Sequence, residues 1–389
     1  QKNLLILWFG TLIGWSSYTM IMPFLPIFLL NELGAPATQV NYWSGLAFSV
    51  TFLAGMIMSP LWGALADRIG KKKVTVRTGL CVGITYLTYS IVQTPEQLVA
   101  VRFIHGAVSG FTATALSLVA DSLPEDKLGW GLGLMQVAGS TGSIIGPLLG
   151  GFLATVFGVR FSFIVAGTLF ILGAIAVFFL VKEKSRSQMS KPGSLRENFA
   201  LALGNKPLLH MLVLMSTLNL AAMSIQPILP LHILNMQGEQ GQVMLISGVL
   251  FSLIGISGII AAPFWGNYGQ KHGFLSTLFL VLLGAGIVQG AQAFSSTIMI
   301  FAGVQLLLGC FLAGVGPSVN ANLVSFSPED FRGRAFGLST SCNQLGAMLG
   351  PLLGGAVGSA LGIKYVFLLA GSIIILGAFS VRYRIKHMP

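Results

Sequence analysis

Apolar residues in this chain come in long runs, and polar residues are confined to the gaps between them. Crossing a bilayer as a helix takes about 20 consecutive apolar residues. Twelve runs qualify, near 4–30, 41–65, 74–93, 97–121, 129–156, 160–181, 208–235, 243–268, 274–293, 296–324, 333–360 and 364–381. Several exceed the bilayer thickness, so tilt or kinks are expected. Pro23 and Pro26 should kink the first segment, and Pro227 and Pro230 the seventh. The first run is too long for the core of a cleavable leader and is expected to be a span.

The pattern repeats at an offset of about 204 residues. "PFLP" at 23–26 meets "PILP" at 227–230, and "SPLWG" at 59–63 meets "APFWG" at 262–266. "PED" recurs at 124–126 and 328–330, "GPLLGG" recurs at 146–151 and 350–355, and Arg160 meets Lys364. The predicted fold is therefore an all-α membrane protein of 12 transmembrane helices. Two parallel six-helix bundles, residues 1–181 and 208–389, are joined by a polar linker at 182–207 and related by pseudo-two-fold symmetry. In such a transporter architecture the substrate site is expected at mid-membrane between the halves.

Composition agrees. Of 389 residues, 54% are hydrophobic and 8% charged, against about 25% charged in soluble proteins. Such a surface has to face lipid. The formal charge of +11 would suggest nucleic acid in a soluble protein. Here the positive-inside rule accounts for it, and no nucleic-acid partner is expected. With the N-terminus inside, one side holds Arg68, Lys71, Lys72, Lys73, Lys127, Lys271, Arg332 and Arg334, together with the basic linker and tail. The other side has only Arg160 and Lys364. The expectation is a multi-pass protein of a bacterial cytoplasmic (inner) membrane with both termini cytoplasmic. Its expected partners are a small-molecule substrate, protons and membrane lipid, and it is expected to be a monomer.

Cys81, Cys310 and Cys342 lie inside apolar runs with no paired spacing. They are read as buried packing thiols, with no disulfide and no metal site. No cofactor is expected. No HExxH, GxSxG or paired mid-membrane carboxylates are present, so an enzyme is not expected.

"GALADRIGKKK" (63–73) gathers charge between two apolar runs. It is no phosphate-binding loop, because Gly63 and Gly70 are seven apart and Lys72 stands where Ser or Thr is needed. It is a turn between the second and third spans. The stretch resembles the loop signature of the major facilitator superfamily, G-x-x-x-D-R-x-G-R-[KR]. "RFIHGAVSG" (102–110) resembles that superfamily's R-x-x-x-G-x-x-x-G on the fourth helix. "GSIIGPLLGG" (142–151) resembles the fifth-helix motif of its drug/proton antiporters. Lys71 departs from the pattern, standing where the family has arginine, and a lysine lacks the planar fork.

The resemblance implies a latch. Asp67 is expected at the N-terminal end of a helix in the other half, where the helix dipole favours an anion. Asp121 is expected to pair with Arg68 or Lys71. It also implies a close-packed seam. Gly142, Gly146, Pro147, Gly150 and Gly151 should let the fifth helix approach the eighth, with Pro147 adding a kink. The copy, including Gly346, Gly350 and Pro351, should pack on the second helix.

The repeat exposes an asymmetry. Asp67 aligns with Gln270, Arg102 with Gln305, and Asp121 with Ser325. The first half looks like the half that senses charge or protons, and the second like a neutral polar wall. Arg102, Gly106 and Gly110 share one helical face by their spacing, and an ionised residue within a span points to function. His105 lies beside Arg102. In such folds the first, fourth, seventh and tenth helices line a cavity. Tyr18, Met22, Phe111, Met135, Gln136, Asn219, Met223, Gln226, Asn320, Asn343 and Gln344 are the candidate lining residues. None of the eleven acids falls at mid-membrane, which leaves Asp121, His105 and Glu32 as proton candidates.

The leading expectation is proton-coupled export of amphipathic small molecules. The alternative is carriage of a neutral or anionic organic solute, such as a carboxylate metabolite or siderophore, in either direction. A transporter-like receptor is the third reading.

Overall fold

In the computed structural model, residues 2–123, 125–183, 201, 203–237, 242–328 and 331–386 are described. The predicted linker at 182–207 lies largely outside them. Among the described residues the structure is helical throughout.

The first span is α1 (Lys2–Ile21), a 3-10 turn (Met22–Phe24) and α2 (Leu25–Asn31). Then come α3 (Val40–Ile69), α4 (Lys71–Tyr89), α5 (Pro95–Val108), α6 (Phe111–Ser122), α7 (Glu125–Phe157) and α8 (Val159–Leu180). The second series is α9 (Lys206–Ile225), α10 (Leu229–Gln237), α11 (Val243–His272), α12 (Phe274–Ala291), α13 (Ile298–Leu312), α14 (Val315–Phe326), α15 (Arg332–Ala360) and α16 (Ile363–Lys386). Ten segments are long and apolar enough to cross a membrane. The other two, α4 and α15, have 19 and 29 residues, also long enough at about 1.5 Å per residue. Lys71, Lys72, Lys73 and Arg77 in α4, and the polar run Ser339 to Gln344 in α15, lower their hydropathy. The twelve-helix expectation holds.

The described residues fall into two compact units. Unit 1 takes residues 2–183 with Leu229–Ser252, and unit 2 takes residues 201–228 and 253–386. Each repeats the other's internal pairings. In unit 1, α1 packs on α7 and α8, and α4 packs on α5, α6 and α8. In unit 2, α9 packs on α15 and α16, and α12 packs on α13, α14 and α16.

Four spans are broken. The first breaks at Pro23 and the seventh around Pro227, because proline lacks the N–H that continues the helical ladder. The fourth breaks at Ser109–Gly110 and the tenth at Ala313–Gly314. The fourth contains no proline and gave no sequence signal, whereas in the tenth Pro317, in the first turn of α14, has no N–H to bond the Ala313 carbonyl. Each break loosens backbone carbonyls, and each unit supplies the same donor: Trp62 Nε1 bonds the Ala107 carbonyl at 2.7 Å, and Trp265 Nε1 the Cys310 carbonyl at 2.7 Å. Gly110 and Gly314 leave room for those indoles. A Cβ there would stand 3.2 Å from Trp62 Cγ and 2.8 Å from Trp265 Cγ. Gly110 thus caps α6 and does not share the α5 face with Arg102 and Gly106, as the spacing suggested. Both broken spans start from a threonine cap, Thr94 and Thr297, whose hydroxyl accepts an N–H at 3.3 Å.

The glycine seam has a different main partner from the one expected. Gly142, Gly146 and Gly150 recur every four residues, so they share one face of α7. That face lies on the first span: a Cβ at 142 would stand 2.6 Å from the Leu12 carbonyl, and at 146 and 150 it would run into Ser16 and Met20. Gly151 is turned about 100° away. It alone meets α11, where a Cβ would stand 2.8 Å from the Met244 carbonyl. Ser252 of α11 also donates to the Ile144 carbonyl at 2.7 Å, close to Pro147. In the copy, Gly346 and Gly350 lie against Ser216, Leu220 and Met223 of α9, the same internal pairing. Pro147 and Pro351 both sit inside helices that remain continuous. The three cysteines are free and half-buried, more open than expected.

Candidate functional site

Arg102 is fully buried in α5, seven residues from its start, or about 10 Å along the axis. Its Nη2 lies 3.1 Å from Met22 Sδ, at the 3-10 turn of the first span. Its guanidinium carbon is 4.9 Å from the centre of the Phe48 ring and 6.0 Å from that of Tyr89. Nε and Nη1 have no hydrogen-bond partner. Two aromatic faces offer a desolvated cation about 2 kcal/mol, whereas an unpaired charge within a span costs several. No carboxylate among the described residues pairs with it. The helices are nevertheless held tightly here. Thr51 of α3 bonds the Arg102 carbonyl at 3.1 Å, and a Cβ at Gly106 would run into the Thr51 backbone.

His105, also buried, places Nδ1 3.0 Å from the Thr85 hydroxyl. Its ring centre is 4.8 Å from Tyr86 and 6.1 Å from Tyr89. Arg102 and His105 thus share one aromatic chamber in unit 1. Two predicted cavity residues belong to this packing instead: Met22 is buried against Arg102, and Phe111 is buried with its ring 5.3 Å from Phe170. Buried this way, neither lines the cleft described next.

A cleft of about 200 Å³ opens between α1, α6 and α7. Met135 and Gln136, both singled out from sequence, line it. Thr11, Trp15, Thr112 and Ser143 line it too. Those four were missed, because hydroxyls and a tryptophan in an apolar run look like ordinary packing. Tyr18 is half-buried beside the cleft's Trp15, ring to ring at 6.0 Å.

At the basic end of unit 1, Lys71 Nζ meets Asp121 Oδ2 at 2.6 Å. Of the two partners weighed for Asp121, the structure joins Lys71, through a single contact as a lysine allows. Each charge stands at the wrong pole of its helix, Lys71 opening α4 and Asp121 closing α6. Pairing offsets both. Glu183, unsuspected because it opens the polar stretch read as linker, accepts the Lys71 backbone N–H at 2.7 Å. Its carboxylate caps α4 where the dipole favours an anion. Gly70 permits this with φ of 106°, and a Cβ there would stand 3.0 Å from the Glu183 carboxylate. Asn3 and Lys182 exchange two hydrogen bonds alongside, at 2.6 and 3.1 Å. Asp67 and Arg68 are exposed in the last turn of α3.

At the opposite end, Glu32 is bound to Arg160 Nε at 2.6 Å, and Arg160 Nη1 bonds the Ser90 carbonyl at 2.5 Å. This ties Glu32 into a loop clamp rather than leaving it available as a carrier.

In unit 2, the counterpart of Arg102 is satisfied. Gln289 donates to Gln292 at 2.8 Å, and Gln292 donates to Gln305 at 2.8 Å, all three buried. Among the predicted polar residues, Asn219 bonds the Asn343 carbonyl at 2.6 Å. Gln226 Oε1 is buried without a partner. Met223 packs under Gly350, Gln344 is half-buried and Asn320 is exposed.

Known proteins give the same fold and closely related sequences. The Major Facilitator Superfamily model matches residues 7–266 and 244–387. Multidrug resistance protein MdtG of Escherichia coli O17:K52:H18 (strain UMN026 / ExPEC) is 31% identical over 381 residues, covering 97% of this chain and 93% of the relative. MdtG of Yersinia enterocolitica serotype O:8 / biotype 1B is 32% identical over 391 residues, covering 100% and 94%. Among solved structures, nucleoside transporter NupG superposes with a TM-score of 0.81 at 15% identity, covering 100% of both chains. The human organic anion transporter MFSD10 (TETRAN) gives 0.70 at 18%, covering 98% and 99%. At such identities the structural likenesses speak to fold alone.

Proposed function

Since the chain belongs to the major facilitator superfamily and is an integral multi-pass secondary transporter, not an enzyme, we propose that it exports amphipathic small molecules in exchange for protons by alternating access. The observation that carries this reading is the α7 seam. Gly142, Gly146 and Gly150 bring α7 to backbone contact with the first span, and Gly151 does so with α11. Helices this close leave no water path along the seam, which suits a carrier that must not leak protons. The near full-length similarity to proteins named for multidrug resistance supports the cargo class.

In this reading residues 1–181 and 208–389 are the two rocking halves, joined by 182–207, in a bacterial cytoplasmic membrane with both termini inside. Asp67, Arg68, Lys71 and Asp121 form a latch that opens and closes with the cycle. Asp67 supports this by its position: an exposed acid in the last turn of α3 opposes the helix dipole, at about 0.3–1 kcal/mol. Arg102 and His105 are the buried charge elements of coupling. Asn219, Met223, Gln226, Asn320, Asn343 and Gln344 of unit 2, and Tyr18, Met135 and Gln136 of unit 1, are the residues assigned to the substrate path. The protein works as a monomer.

The test is transport by purified protein in liposomes with an imposed pH gradient, probed with cationic ethidium, uncharged chloramphenicol and an anionic polycarboxylate. Gradient-driven movement of ethidium or chloramphenicol, abolished by a protonophore, is the expected result. Movement of the polycarboxylate alone, or movement indifferent to the gradient, overturns the reading. Asp67→Asn should shift cysteine-accessibility labelling toward the inward-open state, and unchanged labelling would remove the latch.

A further inference from the structure

We propose that the cleft between α1, α6 and α7 is a subsite for an uncharged, hydrogen-bonding part of the transported molecule. The proposal rests on the export reading for its cargo. Its own support is the Thr11 hydroxyl. A helical threonine normally turns its hydroxyl onto the carbonyl four residues back. Thr19, Thr51, Thr75, Thr78 and Thr114 all do so, at 2.8–3.0 Å. Thr11 does not. Thr11 is 98% buried and is one of the residues lining the cleft, and its hydroxyl has no partner among the described residues. A buried donor left unmade is unfavourable, so the position calls for a group that enters from the cleft.

The remaining wall defines that group. Ser143 already donates to the Gly139 carbonyl at 2.9 Å, so it faces the cleft as an acceptor. Trp15, Leu116 and Met135 supply a flat apolar side, and Gln136 an exposed amide. Among the described residues, no acidic, basic or histidine side chain lines the cleft. An ion entering it would lose hydration with nothing to replace it. Whole drug-sized ligands need about 300–1,000 Å³, and the cleft holds about 200 Å³. It therefore takes one ring-sized moiety bearing a hydroxyl, carbonyl or amide, and the rest of the molecule lies outside. Arg102, buried elsewhere in the unit, is no part of this wall.

The experiment is equilibrium dialysis of purified full-length protein in detergent, with no gradient, against labelled chloramphenicol and tetraphenylphosphonium. Thr11→Val keeps the shape and removes the hydroxyl, and Thr11→Ser keeps the hydroxyl. Ser140→Leu fills the cleft from a second helix. Chloramphenicol should bind the parent and Thr11→Ser alike. It should bind about tenfold more weakly to Thr11→Val and not measurably to Ser140→Leu. Tetraphenylphosphonium should be unaffected by all three. Equal chloramphenicol binding by Thr11→Val, or binding that survives Ser140→Leu, would mean the cleft holds water only and overturns the proposal. So would no binding to the parent. A protein that binds as expected but moves nothing in liposomes breaks the export reading and leaves the subsite standing. One that exports ethidium yet ignores the uncharged probe does the reverse.

Discussion

At positions 86, 89 and 102, unit 1 carries Tyr, Tyr and Arg, whereas unit 2 carries Gln at 289, 292 and 305, each 203 residues later. The scaffold around the two trios is shared: the same threonine cap, the same tryptophan on the carbonyl before the break, the same glycine one turn after the central residue. The chemistry is opposite. The glutamines form a hydrogen-bonded chain in which each link meets its neighbour at 2.8 Å. Arg102 meets a sulfur and two ring faces and keeps two nitrogens unpartnered. One copy of the repeat is solved for stability and the other is held away from it. A charge kept at that cost in a scaffold able to host a neutral trio points to a role beyond packing.

The sharpest way to break this comparison is to exchange the chemistries. Gln305→Arg puts a charge into a chain of amides with no anion. The loss should be several kcal/mol, read as failure to recover folded protein by size-exclusion chromatography; normal recovery would mean unit 2 tolerates charge as well as unit 1. Arg102→Met removes an uncompensated cation and keeps bulk. It should raise the thermal midpoint in detergent by the equivalent of about 1–4 kcal/mol while abolishing gradient-driven transport. A lowered midpoint would show that the rings and Met22 compensate the charge after all. Gln292→Leu cuts the chain at its middle and strands two amides. We expect about 1–3 kcal/mol for each stranded group in the same melt, with transport preserved once folded. The smallest effect tests the shared scaffold. Trp62→Phe and Trp265→Phe each remove one indole bond to a break carbonyl, and each should cost about 1 kcal/mol. Unequal losses would show that the breaks are not equivalent.

Much of this was legible without coordinates, for identifiable reasons. Lipid offers no hydrogen-bond partners, so a long apolar run has to be a helix, and the runs could be counted. Repeats in "GPLLGG" and "PFLP" showed two copies. Proline was read at two of the four breaks. The Ser109–Gly110 break was not legible, because it has no proline and leans on an indole from another helix, while the Ala313–Gly314 break was marked by Pro317 and went unread. The seam's glycines were found, and so was the eighth span as the partner of Gly151, but not the first span as the partner of the other three: spacing sets which residues share a face, not what lies against it. Glu183 was hidden because a carboxylate in a polar stretch carries no mark of the helix end it caps. Thr11 was hidden because a hydroxyl reveals itself as unpaired only when its neighbours are known.

The sequence by itself determined that this chain is a duplicated, twelve-helix membrane carrier, since burial in lipid leaves the backbone no alternative and the repeats record the duplication. It also determined that one half carries the buried charge. Tertiary structure alone decided that Arg102 goes unpaired, that Lys71 and Glu183 meet at the start of α4, and that a neutral cleft lies beside Thr11. Each of these depends on atoms brought together from segments far apart in the chain, and no local pattern encodes a distance between helices.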